Sequence, residues 1–150
     1  MKKIIFILIL SVNFFYSQKC PLDYNMKSDG INDSITILVK NNDRKSIKIP
    51  KRISPIFFQL KEIEKLDNET NIFVKQKAVS KDINCTFCHK KIVNLKSQKS
   101  HTYIHYKSNI LKLNNINEKG LYRFKIYADI IDFPLGCKEF ESDWMSYEIR

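Results

Sequence analysis

Residues able to do chemistry are concentrated in one stretch of this sequence, which runs from Cys85 to His105. Cys85-Thr-Phe-Cys88-His89 has the form of a c-type haem attachment site, in which two thiols bind the vinyl groups and the histidine is an axial ligand. Cys85, Cys88, His101 and His105 also have the spacing of a two-Cys, two-His zinc site. The stretch is therefore compatible with a haem site, a zinc site or a disulfide. Which of these is expected depends on the secondary structure predicted for the residues around it.

The zinc hypothesis depends on whether His101 and His105 lie on a helix. Helical residues four apart share one face and can bind the same ion. Residues 101–106 are instead rich in β-branched and aromatic side chains that alternate with the histidines, which predicts a strand. On a strand the two histidine Cα atoms would lie roughly 13 Å apart, too far for one ion with ligand bonds of about 2 Å. The pattern therefore disfavours zinc.

The haem hypothesis needs a second axial ligand, for which Met145 and the two histidines above are candidates. Domains of the c type are mostly helical, whereas the surrounding sequence favours strands. A thioredoxin-like pair would need Cys85 at the start of a helix within a βαβ unit, and no such pattern surrounds it. A haem or other redox function at Cys85-x-x-Cys88-His89 remains the alternative to a structural disulfide.

The N-terminus predicts export. Met1-Lys2-Lys3 is a basic start, and the apolar run that opens with Ile4 to Leu10 extends over about a dozen residues before the chain turns polar at Ser17. A membrane-spanning helix would need roughly 20 apolar residues. We therefore expect a cleaved signal peptide over residues 1–17 and a mature protein that is periplasmic or extracellular, with no transmembrane segment.

The mature chain, residues 18–150, has the size of a single domain. The Ser17-Gln18 junction resembles that of small exported proteins of Gram-negative bacteria. Gln18-Lys19 stands where a lipoprotein signal needs small residues, so a lipid anchor on Cys20 is disfavoured.

The charge balance argues against nucleic-acid binding. The formal net charge is +10, and residues 1–17 contain Lys2 and Lys3 and no acid, so the mature charge is +8. The basic residues are scattered rather than clustered with aromatic ones, as a nucleic-acid surface would require. The basic run Lys40–Lys51 and the pair Lys90-Lys91 can attract an acidic surface, but solvated strand edges account for them as well.

Alternation of apolar and polar residues predicts an all-β fold of about seven strands. The clearest strand contains Tyr122, Phe124, Ile126 and Ala128, with polar or half-polar residues between them. Further strands are predicted, the first two as a hairpin, at residues 34–40, 46–49, 56–58, 71–79 and 142–149. Residues 59–67 place Leu60, Ile63 and Leu66 three apart, which predicts a short helix or a polar loop.

The C-terminal pattern resembles an immunoglobulin-like antiparallel β-sandwich. Leu111-x-Leu113 followed by Gly120-x-Tyr122 is similar to the E strand, tyrosine corner and F strand of that architecture. Phe124 stands where antibody-type domains have their inter-sheet cysteine, so the disulfide between strands B and F is absent. The resemblance implies the general sandwich rather than that particular family.

Four cysteines in an oxidising compartment predict two disulfides, with three possible pairings. The resemblance favours Cys20 with Cys137, because the first strand of such a sandwich begins at the end where the F and G strands are connected. Cys85 would then pair with Cys88 and shape a local loop. The three histidines would be ordinary surface side chains.

The sequence predicts a binding or structural module without a catalytic centre. We find no nucleophile elbow, phosphate loop or paired carboxylates, and expect neither cofactor nor metal. The candidate binding surface is the long connection before the last strand, since loops at sandwich ends commonly bind partners, here another exported or envelope protein. Its residues are Asp132, Phe133, Leu135, Phe140 and Trp144. The competing interpretation is a hydrophobic loop that covers the open end of the core.

Overall fold

The computed structural model describes residues 20–28, 30, 32–78, 91–130, 133–134, 136–137 and 139–150. The predicted signal peptide over residues 1–17 and the motif Cys85-x-x-Cys88-His89 lie outside these residues. The described chain forms ten strands, a single turn of 3-10 helix at Pro55–Phe57 and one α-helix, α1, at Lys107–Leu113. The strands are β1 (Leu22–Ser28), β2 (Ser34–Asn41), β3 (Ile47–Pro50), β4 (Phe58–Asp67), β5 (Ile72–Lys75), β6 (Ile92–Leu95), β7 (Ser100–Tyr106), β8 (Gly120–Asp129), β9 (Glu139–Glu141) and β10 (Met145–Ile149).

The strands form the two antiparallel sheets of an immunoglobulin-like sandwich. One sheet has the order β1-β2-β7, and the other has the order β10-β8-β4-β5 with β9 paired to β8. These orders correspond to strands A-B-E and G-F-C-C′ of the immunoglobulin fold. A separate two-stranded ladder, β3-β6, continues from β2 and β7. The predicted all-β sandwich is therefore confirmed.

The apolar alternation seen in the sequence fills the space between the sheets. Ile35, Ile37 and Val39 on β2 are fully buried and belong to one cluster with Phe124 and Ile126 on β8. Burying an aliphatic or aromatic side chain of this size contributes about 1.5–3 kcal/mol relative to leaving it exposed. This cluster, rather than any single contact, holds the two sheets together.

The predicted tyrosine corner is present at the start of β8. The Tyr122 hydroxyl donates a hydrogen bond to the carbonyl oxygen of Glu118 at 3.0 Å, four residues upstream. Gly120 between them has φ +145°, and a Cβ there would lie 2.8 Å from Cε of Lys65. The glycine therefore permits both the backbone conformation and the close approach of the Lys65 side chain.

The short helix or polar loop predicted for residues 59–67 is wrong, because these residues lie in β4. A β-bulge falls between Leu60, which pairs with Ile126, and Glu62, which pairs with Lys125. The extra residue, Lys61, shifts the alternation so that Leu60 and Ile63 both point into the core. Apolar residues three apart thus reflect a bulged strand rather than a helical face.

The E strand predicted at Leu111-x-Leu113 is also wrong, because those residues lie in α1 and the preceding β7 takes the E position. Asp33, from the connection between β1 and β2, caps the helix. Its carboxylate accepts a hydrogen bond from the backbone N–H of Ser108 at 2.7 Å and another from the Ser108 hydroxyl. A cap from so distant a residue gives no local helix signal in the sequence.

The predicted hairpin of residues 34–40 and 46–49 does not form, because β3 pairs with β6 instead of β2. Buried Asn41 redirects the chain at this corner. Its side-chain amide donates to the carbonyl oxygens of Lys45 at 2.8 Å and Leu95 at 2.9 Å. The strands β1, β6 and β9, which were not among those predicted, raise the strand count above seven.

The other predicted strands occur with changed bounds. Residues 56–58 contribute the end of the 3-10 turn and the first residue of β4, residues 72–75 form β5, and residues 145–149 form β10. Trp144 therefore immediately precedes the last strand. In the described part of the chain, no helix has the length and apolar character needed to cross a bilayer.

Candidate functional site

The Cys20–Cys137 disulfide ties the chain start to the connection between β8 and β10. The two residues are 117 positions apart in sequence, and their Cα atoms are 4.9 Å apart. This is the pairing favoured by the immunoglobulin-like resemblance. Closing a loop of this length stabilises the fold by about 5 kcal/mol on the chain-entropy model. The remaining two cysteines, Cys85 and Cys88, lie outside the described residues with His89, so their disulfide or haem chemistry stays a prediction.

Aromatic residues close the sandwich beside this disulfide. The Tyr24 hydroxyl donates to the carbonyl oxygen of Cys137 at 2.6 Å, and its ring stacks on Phe140 at 5.3 Å and meets the edge of Phe133 at 5.8 Å. Burial raises the pKa of Tyr24, as expected for a hydroxyl used as a structural donor. We call Cys20, Tyr24, Phe133, Cys137 and Phe140 the closed end.

The structure buries part of the predicted binding surface. Phe133 and Phe140 are only 3% and 9% exposed, so they belong to the core. Asp132 and Leu135 lie outside the described residues. Trp144 alone is exposed, at 42%. The hydrophobic-loop interpretation explains the two phenylalanines, because a sandwich end without such a cover would expose its interior to water.

Trp144 belongs to a surface that we call the aromatic–cation face, together with Phe73, Arg123 and Lys125. The Arg123 guanidinium lies over the Phe73 ring at 4.5 Å and the Trp144 ring at 5.3 Å, and Lys125 Nζ lies over the Trp144 ring at 5.0 Å. Cation–π contacts at exposed positions contribute about 0.5–1 kcal/mol each. The indole is thus held by neighbours on its own sheet.

The cations of the aromatic–cation face are also paired with acids. Arg123 forms an ion pair with Glu64, and Lys125 Nζ lies 3.0 Å from Glu62. The hydrogen bond from Lys125 lowers the pKa of the Glu62 carboxyl. Each cation of this face thus contacts both an acid and an aromatic ring.

An open groove runs beside β7, on the edge opposite β2. It has a volume of about 480 Å³ and is bordered by residues 101–106 on one side and by residues 51–55 on the other. Two hydrogen bonds span it at its base: Tyr103 donates from its hydroxyl to Pro50 O at 2.6 Å, and His101 Nε2 donates to Lys51 O at 3.1 Å. We call this space the β7 groove. Its size is within the range of ligand sites in proteins.

His105 forms part of the floor of the β7 groove and is not the surface residue that we predicted. It is 7% exposed, and the edge of its ring packs against Phe58 at 4.6 Å between centroids. Its Nε2 atom is buried without a hydrogen-bond partner. Burial lowers the pKa of His105 to about 4, so the ring is neutral at pH 7. A buried polar atom without a hydrogen-bond partner is rare in native proteins.

The predicted zinc ligands are only partly placed by the structure. His101 and His105 lie on one strand, as the alternation predicted, and point to its inner side. Their proposed partners Cys85 and Cys88 lie outside the described residues. Among the residues that the structure does describe, no three His, Cys, Asp or Glu side chains are grouped to hold a metal ion.

The rim of the β7 groove is cationic and apolar. Lys51 and Arg52 are exposed on one wall, and none of the described residues that line the groove is acidic. Ile104 and Tyr106 are exposed on the outer side of β7 at 63% and 51%. Lys51 was part of the predicted basic run, but the sequence did not single out Arg52, Ile104 and Tyr106, although apolar residues on both faces of the strand were a visible signal that its outer face is not ordinary surface.

A larger depression of about 840 Å³ lies between α1, β10 and the β1–β2 connection. Its acids already have donors: Asp33 accepts from Ser108, and Glu148 accepts from Arg150 at 2.9 Å. The β7 groove is the better candidate, because its described lining combines exposed cationic and apolar side chains and contains no acid.

No family model matches this chain, and no curated protein matches it.

Proposed function

We propose that this protein is an exported, non-enzymatic binding module that holds a protein partner in the β7 groove. The observation that carries the proposal is the β7 groove itself, a space of about 480 Å³ whose described lining combines exposed Lys51 with the exposed side chains of Ile104 and Tyr106.

Export is supported by the basic and apolar start of the sequence and by the disulfide. The Cys20–Cys137 bond is of the kind that persists in oxidising compartments, where thiols are not kept reduced. The partner is accordingly expected to be another exported protein or a protein of the cell envelope.

A non-enzymatic role is supported by the structural roles of the buried tyrosine and histidine side chains. The hydroxyls of Tyr24 and Tyr103 donate to backbone carbonyls, which makes them structural. The pKa of His105 is displaced by burial, with no charged side chain as a further cause. A general base normally has a second group that orients it, and none contributes here.

Site-specific photo-crosslinking in the exporting cell tests this proposal. A photoreactive phenylalanine would replace Ile104 at the groove or, as a matched control, Ile72 on β5, because both isoleucines are 63% exposed. We expect a covalent adduct with an envelope or exported protein from position 104 and none from position 72. An adduct from neither position, or from position 72 alone, would contradict the proposal.

A redox function remains a second candidate because the Cys20–Cys137 pair leaves Cys85 and Cys88 available to a haem, with His89 as axial ligand. The visible spectrum of protein produced together with haem-attachment enzymes decides this alternative. Absence of a Soret band rejects it.

A further inference from the structure

Two basic segments of the chain meet at the corner where β2 leads into β3. The first is residues 40–48, which include the turn between these strands, and the second is residues 96–99, which connect β6 to β7. Asn41 joins the two segments, because its backbone N–H donates to Lys99 O at 3.0 Å and its carbonyl oxygen accepts from the N–H of Gln98 at 2.8 Å. Tertiary structure therefore unites basic residues that are far apart in the sequence.

We call these two segments the basic corner. They contain six cations and one acid, so their net charge is +5, which is more than half of the +8 expected for the mature chain. All six cations are exposed, and like charges concentrated in this way repel one another. The cations are Lys40, Arg44, Lys45, Lys48, Lys96 and Lys99.

The cations of the basic corner are not neutralised by the rest of the described chain, in which none of them forms an ion pair. The sheet that contains β4 and β8 differs, since Lys61, Arg123 and Lys125 on it are each paired with a glutamate. The positive charge of the corner is therefore available to an external anion.

The two acids closest to these cations in the turn and in the strand register are engaged locally. Asp43 accepts from the backbone N–H of Arg44 at 2.6 Å. Asp23, the cross-strand neighbour of Lys40, accepts from the side-chain amide of Asn42. Both carboxylates thus stabilise the turn and the strand end.

The residue types of the basic corner favour a fluid anionic surface as the ligand. Neither segment contains an aromatic residue that could stack on nucleic-acid bases. Five of the six cations are lysines, which are mobile point charges, whereas specific recognition of a phosphate favours the planar fork of arginine. A bilayer with anionic headgroups offers many charges that can rearrange around such a cluster.

We propose that the basic corner attaches this protein to the surface of an anionic lipid bilayer. The attachment is electrostatic and reversible, and it requires no inserted helix. The basic corner and the β7 groove share no residue. The inference therefore goes beyond the proposed function and takes from it only the export that brings the protein to an envelope membrane.

Co-sedimentation of the mature, disulfide-bonded protein with lipid vesicles tests the charge requirement. We expect vesicles that contain phosphatidylglycerol to bind it at least roughly tenfold more tightly than vesicles of phosphatidylcholine alone. Sodium chloride at about 1 M, where the Debye length is about 3 Å, should release it. Equal binding to the two kinds of vesicle, or no binding to phosphatidylglycerol, would overturn the inference.

Charge reversal separates the basic corner from the net charge of the whole protein. Lys45→Glu with Lys99→Glu should weaken binding to phosphatidylglycerol vesicles roughly tenfold or more. Lys77→Glu with Lys119→Glu makes the same change of net charge at exposed positions outside the corner, and should weaken binding less than about threefold. Equal losses in the two double variants would show that the vesicles detect only net charge, which would reject the corner as the site.

A photoactivatable phosphatidylglycerol in the vesicles locates the contact. Peptides that contain residues 40–48 or 96–99 should carry the lipid label, whereas peptides from β5 should not. Label confined to peptides outside the basic corner would place the membrane contact on another surface and contradict the proposal.

Two soluble anions separate a bilayer from other ligands. Glycerol 3-phosphate at millimolar concentration should not displace the protein from vesicles, because one phosphate cannot replace many headgroups. Displacement would identify a discrete phosphate site, and tighter binding of polyglutamate than of vesicles at equal charge concentration would identify an acidic protein as the ligand. Either result would overturn the inference. None of these measurements involves the β7 groove, so their failure is distinguishable from failure of the crosslinking at position 104.

Discussion

The closed end and the β7 groove both present aromatic rings and polar groups at the margin of the core, but they satisfy those polar groups to different degrees. At the closed end, Tyr24 donates to Cys137 and its ring packs on Phe140. At the groove, His105 retains a buried nitrogen without a partner. The contrast shows that aromatic residues in a loop can cover the core rather than form a binding surface.

The largest expected effect tests the closed end. Replacing Cys20 and Cys137 together by serine should lower the free energy of unfolding by about 5 kcal/mol, because the disulfide closes a long loop. Urea denaturation measures the loss. Cys85→Ser is the comparison and should lower the stability only slightly. The reverse order would show that the closed end does not depend on this bond.

Lowering the pH should destabilise the folded protein, because it favours protonation of His105. Its folded pKa of about 4 lies below its ordinary value of 6.5, so between these values the unfolded chain binds more protons and stability falls as pH decreases. Between pH 7 and 4.5 the wild type should lose about 2–3 kcal/mol more than His105→Phe, which cannot titrate. Denaturant titrations at both pH values measure the difference, and parallel losses would indicate that the ring is solvated.

Two tyrosines allow a matched test of internal hydrogen bonding. Tyr24→Phe removes the donor to Cys137 and should lower the free energy of unfolding by about 1 kcal/mol. Tyr106→Phe removes a hydroxyl from an exposed groove residue and should change it by less than about 0.5 kcal/mol. Thermal unfolding of both variants is the measurement. Similar losses of stability in the two variants would mean that the Tyr106 hydroxyl, like the Tyr24 hydroxyl, is hydrogen-bonded within the protein.

The smallest expected effect on stability comes from comparing Lys125 on the aromatic–cation face with Lys51 on the rim of the groove. Lys125→Met removes the ion pair with Glu62 and the contact with Trp144, and should cost up to about 1 kcal/mol. Lys51→Met should alter the free energy of unfolding by less than about 0.5 kcal/mol. Equal costs would indicate that Lys51 serves stability rather than recognition.

Local sequence pattern predicted the parts of the fold that depend on local geometry. Alternation in β8 and β7 identified both strands, and Gly120-x-Tyr122 identified the tyrosine corner. The errors at residues 59–67 and Leu111–Leu113 have distant causes. One is a bulge in the pairing with β8, and the other is a helix capped by Asp33.

The candidate site was predicted less well than the fold. His101 and His105 attracted attention as metal ligands, but nothing in their spacing showed that one of them would be buried without a partner. Lys51 and Arg52 are separated from β7 by nearly fifty positions in the sequence, and they border the same groove only because β3 pairs with β6.

The sequence by itself determined an all-β chain, the face of each regular strand that points inward, and the cysteine pair that the immunoglobulin-like resemblance favours. These features follow from residue type, from the two-residue period of a strand and from an architecture with known connections. Only the tertiary structure decided which aromatic residues are covered and which polar atom of the described residues lacks a partner. Those properties depend on contacts between residues far apart in sequence, and no local pattern encodes them.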